Sequence, residues 1–151
     1  MTFDKVVVDA NVFVASLIKK EKHYEDSLKA MRVIAEKHIS LLEPEVVLFE
    51  VGTSFHRKRG NEEIDDQDAD NLMNLFFRLP LMFVWEPEVM QRASKIARQL
   101  SFKGLSDSYY LAIAEQKEVP LITLDEELIR KGKTLWKAIY RPAEFLESVS
   151  Q

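Results

Sequence analysis

Four acidic side chains stand alone in uncharged stretches of this chain. Asp9 is the only charged residue between positions 6 and 18, Glu50 the only one between 46 and 55, and Asp107 the only one between 104 and 114. The uncharged run 119–124 then ends on Asp125. An ionised carboxylate taken out of water without a partner costs several kcal/mol, roughly, and tends to pick up a proton instead. The chain is 30% charged and has ample surface on which to place acids. Four acids set beside apolar segments therefore point to a shared purpose, and a bound divalent cation is the simplest one. Mg²⁺ and Mn²⁺ prefer oxygen ligands, which carboxylates supply. Such a cluster, with one or two ions, supports metal-assisted phosphoryl transfer. One ion makes a bound water more acidic and the other steadies the leaving oxygen of a phosphodiester.

Each acid also has an ordinary structural explanation. Asp9 suits an Asx turn leaving a strand, and Asp107 and Asp125 suit helix N-caps. Glu50 has no capping role open to it, because it falls inside a mostly apolar helical pattern. There it shares a face with Val46, Val47 and Ser54 rather than with other charges.

The elements that must position these residues follow from periodicity. Short β-branched runs alternate with longer helical patterns, which predicts an α/β fold with a parallel sheet. Strands are expected at 5–9, 39–42, 81–85, 121–123 and around 135–140. Helices are expected from about 11, over 24–37, from Pro44 to about 59, over 65–78, from Pro87 to about 100, and from a cap at Ser106 or Asp107 to about 117. A short helix follows Asp125, and a final turn runs from Pro142 through Leu146. Asp9 and Asp125 then end strands, on the sheet edge where α/β folds bind ligands, and Asp107 faces the same edge.

Composition narrows the function classes. The chain has 151 residues, 46% of them hydrophobic, enough for one domain with a real core. Its net charge of −4 argues against holding nucleic acid by bulk positive charge, although bound metal would add positive charge locally. With no cysteine, disulfides, zinc–thiolate sites and thiol nucleophiles are excluded. The opening residues lack a basic region followed by an apolar core, and the longest apolar run is interrupted by Asp9. The expectation is a cytoplasmic protein with no membrane span.

Other clusters are blander. Lys19, Lys20 and Lys22, and likewise Arg57, Lys58 and Arg59, fit solvated helix ends better than a phosphate grip. Asp66, Asp68 and Asp70 imitate an EF-hand, but Asn71 and Phe77 stand where Gly and Glu are needed. His23, His38 and His56 lack ligand spacing. Leu72, Leu75, Phe76 and Leu79 form an apolar helical face, read as core, with a dimer or partner groove as the sharper alternative.

Val6-Val7-Val8-Asp9-Ala10-Asn11-Val12 is a hydrophobic strand ending in Asp, with Asn two residues on. Glu50 follows in a helix. Leu105-Ser106-Asp107 precedes Tyr110-Leu111-Ala112-Ile113-Ala114, then come Leu121-Ile122-Thr123-Leu124-Asp125 and Pro142-Ala143-Glu144-Phe145-Leu146. In these motifs and their order the chain resembles the PIN-domain ribonucleases, most of all the single-domain toxins of VapC type, over nearly its whole length. The resemblance implies one PIN-like nuclease domain over 1–151, a three-layer α/β/α sandwich around a central, mainly parallel five-stranded sheet. It implies that Asp9, Glu50, Asp107 and Asp125 are the catalytic acids and hold Mg²⁺ or Mn²⁺, the fourth often acting through water. Asn11 and Thr123 would orient those carboxylates or a bound water. It further implies an RNA substrate, a homodimer and an antitoxin protein whose tail enters the acidic groove. Two departures stand out. Leu128 replaces an aromatic residue, and Tyr109-Tyr110 is bulkier than the small residues common after the third acid. Neither is expected to touch the acids.

Two rivals remain. A haloacid-dehalogenase-like phosphatase would use Asp9 as nucleophile, but needs an acid where Asn11 stands. A non-catalytic PIN-like module would bind RNA or protein without cutting, and has no need of four costly carboxylates.

Overall fold

Val6, Val7 and Val8 are fully buried, as an unbroken apolar run must be when a strand is covered on both faces. They form β1 (Lys5–Val8), the middle strand of a five-stranded parallel sheet. The computed structural model describes residues 2–150; the two ends of the expected 1–151 domain lie outside the described residues. The remaining strands are β2 (Ser40–Glu43), β3 (Leu81–Phe83), β4 (Leu121–Ile122) and β5 (Ile139–Tyr140), in the order β3-β2-β1-β4-β5. Val6 pairs with Leu41 on one side, and Val8 with Ile122 on the other.

Parallel neighbours need crossovers, and right-handed crossovers fix which face each helix covers. The chain moves outward from β1 through α1 (Ala10–Leu17) and α2 (Tyr24–Glu36) to β2, then through α3 (Val46–Gly60) and α4 (Asp66–Phe77) to β3. It returns through α5 (Pro87–Leu100) and α6 (Leu105–Lys117) to β4, and through α7 (Glu126–Gly132) to β5. Opposite directions of travel put the first four helices on one face and the next three on the other. The packing agrees: α1 lies against α2 and α3, α3 against α4, and α5 against α6, while α8 (Pro142–Ser150) closes onto α2. This is the expected α/β sandwich. Phe13 of α1 meets Phe76 of α4 edge-on, ring centroids 5.4 Å apart, in the core of the first layer. α6 is buried continuously from Ser108 to Ala114, which explains its uncharged sequence.

Several boundaries differ from the expectations. Gly104, rather than Ser106 or Asp107, occupies the N-cap of α6, so Asp107 sits in the first turn. α3 begins at Val46 behind Glu45, two residues after Pro44. The last strand is confined to two residues because the amides of Leu135 and Trp136 bond back to the Gly132 carbonyl, keeping them in a turn. α8 runs to Ser150, past Leu146, because Val149 still packs against the core. Among the described residues no helix is long and apolar enough to cross a membrane.

Candidate active site

The sheet reverses its direction of growth between β1 and β4, and ligands of open α/β sheets bind outside the strand C-termini at such a point. Asp9 and Thr123 follow those two strands directly. Asp9 is the N-cap of α1, yet its side chain caps nothing. Its Oδ2 instead accepts hydrogen bonds from Thr123 Oγ1 at 2.7 Å and Asn11 Nδ2 at 3.2 Å. Thr123 Oγ1 in turn accepts from the Asp125 amide at 3.0 Å, and Asn11 Oδ1 from the Leu124 amide at 3.2 Å. These bonds tie the ends of the two strands together and fix the Asp9 carboxylate.

The other three acids arrive from different elements. Asp125 does cap α7, its Oδ1 accepting from the amides of Glu127 and Leu128. Asp107 occupies the third position of α6. Glu50 lies in the second turn of α3, where its Oε1 accepts a 2.7 Å hydrogen bond from the Tyr110 hydroxyl. Asp9, Glu50, Asp107 and Asp125 line one pocket of about 370 Å³, together with Asn11, Phe49 and Arg57. Thr123 lies beneath it, fully buried.

The electrostatics follow from that gathering. Burial pushes the Asp9 carboxyl up to about 7; the Thr123 hydrogen bond opposes this, and the charges of Glu50, Asp107 and Asp125 add to it. Asp107 is pushed up to about 6, by burial first and then by Asp125, Glu50 and Glu127. Burial, then Asp9, Glu43 and Glu50, drive the Tyr110 hydroxyl far above its ordinary value, so it remains a donor to Glu50.

The donor set suits a hard cation. Among the described residues, Asp9 Oδ1, Glu50 Oε2, Asp125 Oδ2 and both Asp107 oxygens have no hydrogen-bond donor, although the four side chains share a pocket. Among the described residues, no three His, Cys, Asp or Glu side chains stand close enough together to hold a metal ion between them. An open arrangement matches Mg²⁺, which keeps several waters and binds through one or two carboxylates.

The sequence expectations missed two residues. Tyr110 was expected to stay clear of the acids, but α6 lies flat on the sheet and carries its hydroxyl across to Glu50 on α3. Glu43 was not singled out at all. It ends β2, is fully buried, and its Oε1 accepts the Val8 amide at 2.7 Å. Its Oε2 has no partner, and burial holds its carboxyl well above the usual range. Glu45, two positions on, hid it from a search for isolated charges; its place at a strand end, like that of Asp9, was the available signal.

The basic residues divide. Lys58 pairs with Glu21 and Glu63, and Arg59 with Asp66, as solvated helix-end residues do. Arg57 pairs with no carboxylate among the described residues and lines the acidic pocket. The histidines stay outside that pocket. On α4, Phe76 is fully buried and Leu72 packs against the core, as does Leu79 just beyond the helix, while Leu75 is exposed.

Solved structures share this fold at low identity. PAE2754 from Pyrobaculum aerophilum matches at TM-score 0.63 and 17% identity, covering 97% of this chain and 95% of its own. VapBC2 from Rickettsia felis, crystallised with a DNA fragment from its promoter, matches at TM-score 0.63 and 13% identity, over 91% of this chain and 98% of that one. VapC20 from Mycobacterium tuberculosis, described as a Sarcin-Ricin loop cleaving toxin, matches at TM-score 0.58 and 14% identity, over 82% and 92%. No curated protein matches the chain. The PIN domain profile matches residues 6–134, so the chain belongs to the PIN domain family.

Proposed function

We propose that the protein is a divalent-metal-dependent ribonuclease, a single domain in which Asp9, Glu50, Asp107 and Asp125 hold Mg²⁺ or Mn²⁺ and serve the hydrolysis of RNA phosphodiester bonds. The observation that carries this is the convergence of four carboxylates from four elements on one pocket at the sheet's switch point. The bound ion supplies charge neutralisation for the phosphate and a more acidic water. The chain does the rest. Thr123 and Asn11 hold the Asp9 carboxylate in one orientation. Tyr110 does the same for Glu50. The raised Asp9 and Asp107 carboxyls must lose their protons to act as ligands, so ion affinity rises with pH through about 6 and 7.

Fold likeness to VapBC2, VapC20 and FitAcB, the last from Neisseria gonorrhoeae, supports the toxin of a toxin–antitoxin pair. A homodimer, an antitoxin partner and a cytoplasmic location belong to the same proposal. A phosphatase using Asp9 as nucleophile is disfavoured because Asn11 donates to Asp9 and carries no acid proton.

The test is end-labelled single-stranded RNA incubated with Mn²⁺ or Mg²⁺, alongside EDTA and Asp9→Asn controls. Cleavage that needs both metal and Asp9 is expected. RNA binding without cleavage, unaffected by Asp9→Asn, would instead favour a non-catalytic binding module.

A further inference from the structure

α3 carries more than Glu50 to the acidic pocket. Phe49 precedes it, 77% exposed, and lines the same pocket. At that exposure the ring contributes little to the core, and it stands free beside the four carboxylates. Two turns further on, Arg57 lines the pocket's other end, roughly 12 Å away along the axis at 1.5 Å per residue.

Beyond Arg57 a second hollow opens, of about 320 Å³, sharing Asn11, Ser54 and Arg57 with the first. Its lining includes Lys22, His23 and Lys58 as well as the acids Glu21 and Glu63. Lys58 is shared by Glu21 and Glu63, whereas Lys22 and Arg57 have no carboxylate partner among the described residues. One continuous surface therefore runs from an aromatic ring, past the acids, to unpaired cations.

We propose that this surface seats an unpaired RNA strand, with Phe49 stacking the base on one side of the scissile phosphate and Arg57 and Lys22 holding a backbone phosphate on the other. This rests on the ribonuclease reading and adds the residues that grip the strand on either side of the cut. A ring can stack only on a base that has left its helix, so the seat selects loops and single strands over duplex. Stacking tolerates any base, and Arg57 reads the backbone alone, so the seat selects by strandedness rather than by sequence.

The test measures binding apart from cleavage. Fluorescein-labelled single-stranded and hairpin-stem RNAs are titrated by anisotropy in Mg²⁺ against Asp9→Asn, with Phe49→Ala, Phe49→Trp or Arg57→Ala added. Phe49→Ala is expected to weaken single-strand binding about 10-fold and leave the weak stem binding unchanged. Phe49→Trp should retain affinity, and its added indole fluorescence should be quenched by RNA. Arg57→Ala should lower the slope of log K against log salt by about 0.7. The exposed position of Phe49 lets thermal melting confirm an unchanged fold. Equal affinity for Phe49→Ala, with an indole blind to RNA, overturns the stacking seat while metal-dependent cleavage by the parent chain keeps the nuclease reading. If Phe49→Ala instead splits a dimer without touching RNA affinity, the ring belongs to a protein interface and the seat is likewise overturned. A parent chain that neither binds nor cuts RNA removes both.

Discussion

Asp9 follows β1 and Glu43 closes β2, so two buried acids lie side by side on one edge of the sheet. Burial raises the pKa of both. Their surroundings then differ. Asp9 is 5% exposed, is held by two side-chain donors through one oxygen, and keeps the other oxygen on a pocket. Glu43 is 0% exposed and accepts the Val8 amide at the end of β1. A strained carboxyl becomes a candidate catalyst only with an uncommitted oxygen facing a space that a ligand can enter. Without that access, the same strain belongs to a structural plug.

The sharpest way to break this comparison is activity. Asp9→Asn is expected to lower metal-dependent RNA cleavage by roughly 1000-fold or more, beyond the 10–100-fold typical of outer partners. Glu43→Gln keeps an acceptor for the Val8 amide and should stay within about 3-fold of the parent, below that outer-partner range. Initial-rate assays at saturating Mn²⁺ decide it, and similar losses in the two variants would erase the distinction.

The second contrast is in pH. A carboxyl whose folded pKa is raised holds its proton longer in the native state, so its stabilising effect is full below the unfolded pKa and is lost as pH climbs through the folded value. For Asp9 that window runs from 3.8 to about 7, and for Asp107 from 3.8 to about 6. Fully expressed, the Asp9 shift corresponds to roughly 4 kcal/mol. The carboxyl of Glu115 is lowered instead by the Arg92 hydrogen bonds, and that of Glu144, against its own burial, by the amide and guanidinium of Arg141; their contributions fade only as pH falls below 4.5. Between pH 5 and 8 the Tm without added metal should therefore fall by several degrees, and Asp9→Asn should flatten that fall. Saturating Mg²⁺ at pH 8 should restore the parent by about 2.7 kcal/mol at 100 times Kd, but not Asp9→Asn. A Tm that rises steadily over this range would contradict the assigned burial of Asp9.

Legibility in the sequence followed the same contrast. The parallel sheet, most helix positions and the four pocket acids were legible in apolar runs and lone charges, because burial on both faces leaves that mark. Glu43 left only its place at a strand end, since its exclusion from water depends on β1 and on α6, which are remote in sequence. Tyr110 was misjudged for a related reason: one face of α6 was legible, but which helix its hydroxyl would reach was not. Arg57 read as one of three solvated cations, and only the pairing of Lys58 and Arg59 set it apart.

Removing the hydrogen bond that Glu43 makes gives a smaller effect. Glu43→Leu leaves the Val8 amide buried and unpaired, which costs about 1–3 kcal/mol, partly offset by the lost burden of a buried carboxyl. Urea denaturation at pH 7.5 should show Glu43→Leu less stable than Glu43→Gln. The reverse order would mean that the carboxyl burdens the fold more than its hydrogen bond supports it.

The smallest expected change tests whether Glu50 belongs with Asp9 or with Glu43. Glu50 lines the pocket, and one of its oxygens is held by Tyr110 as one oxygen of Asp9 is held by Thr123. Tyr110→Phe removes only that hydroxyl and keeps the ring in a fully buried position. If the bond orients a ligand, Mn²⁺ affinity measured by calorimetry should fall about 10-fold, the lower end for an outer partner, while Tm without metal moves little. Saturating Mn²⁺ should then recover most of the cleavage rate, because the loss lies in holding the ion. Unchanged affinity with a lowered Tm would place the Tyr110–Glu50 pair on the structural side, beside Glu43, and leave three carboxylates to serve the ion.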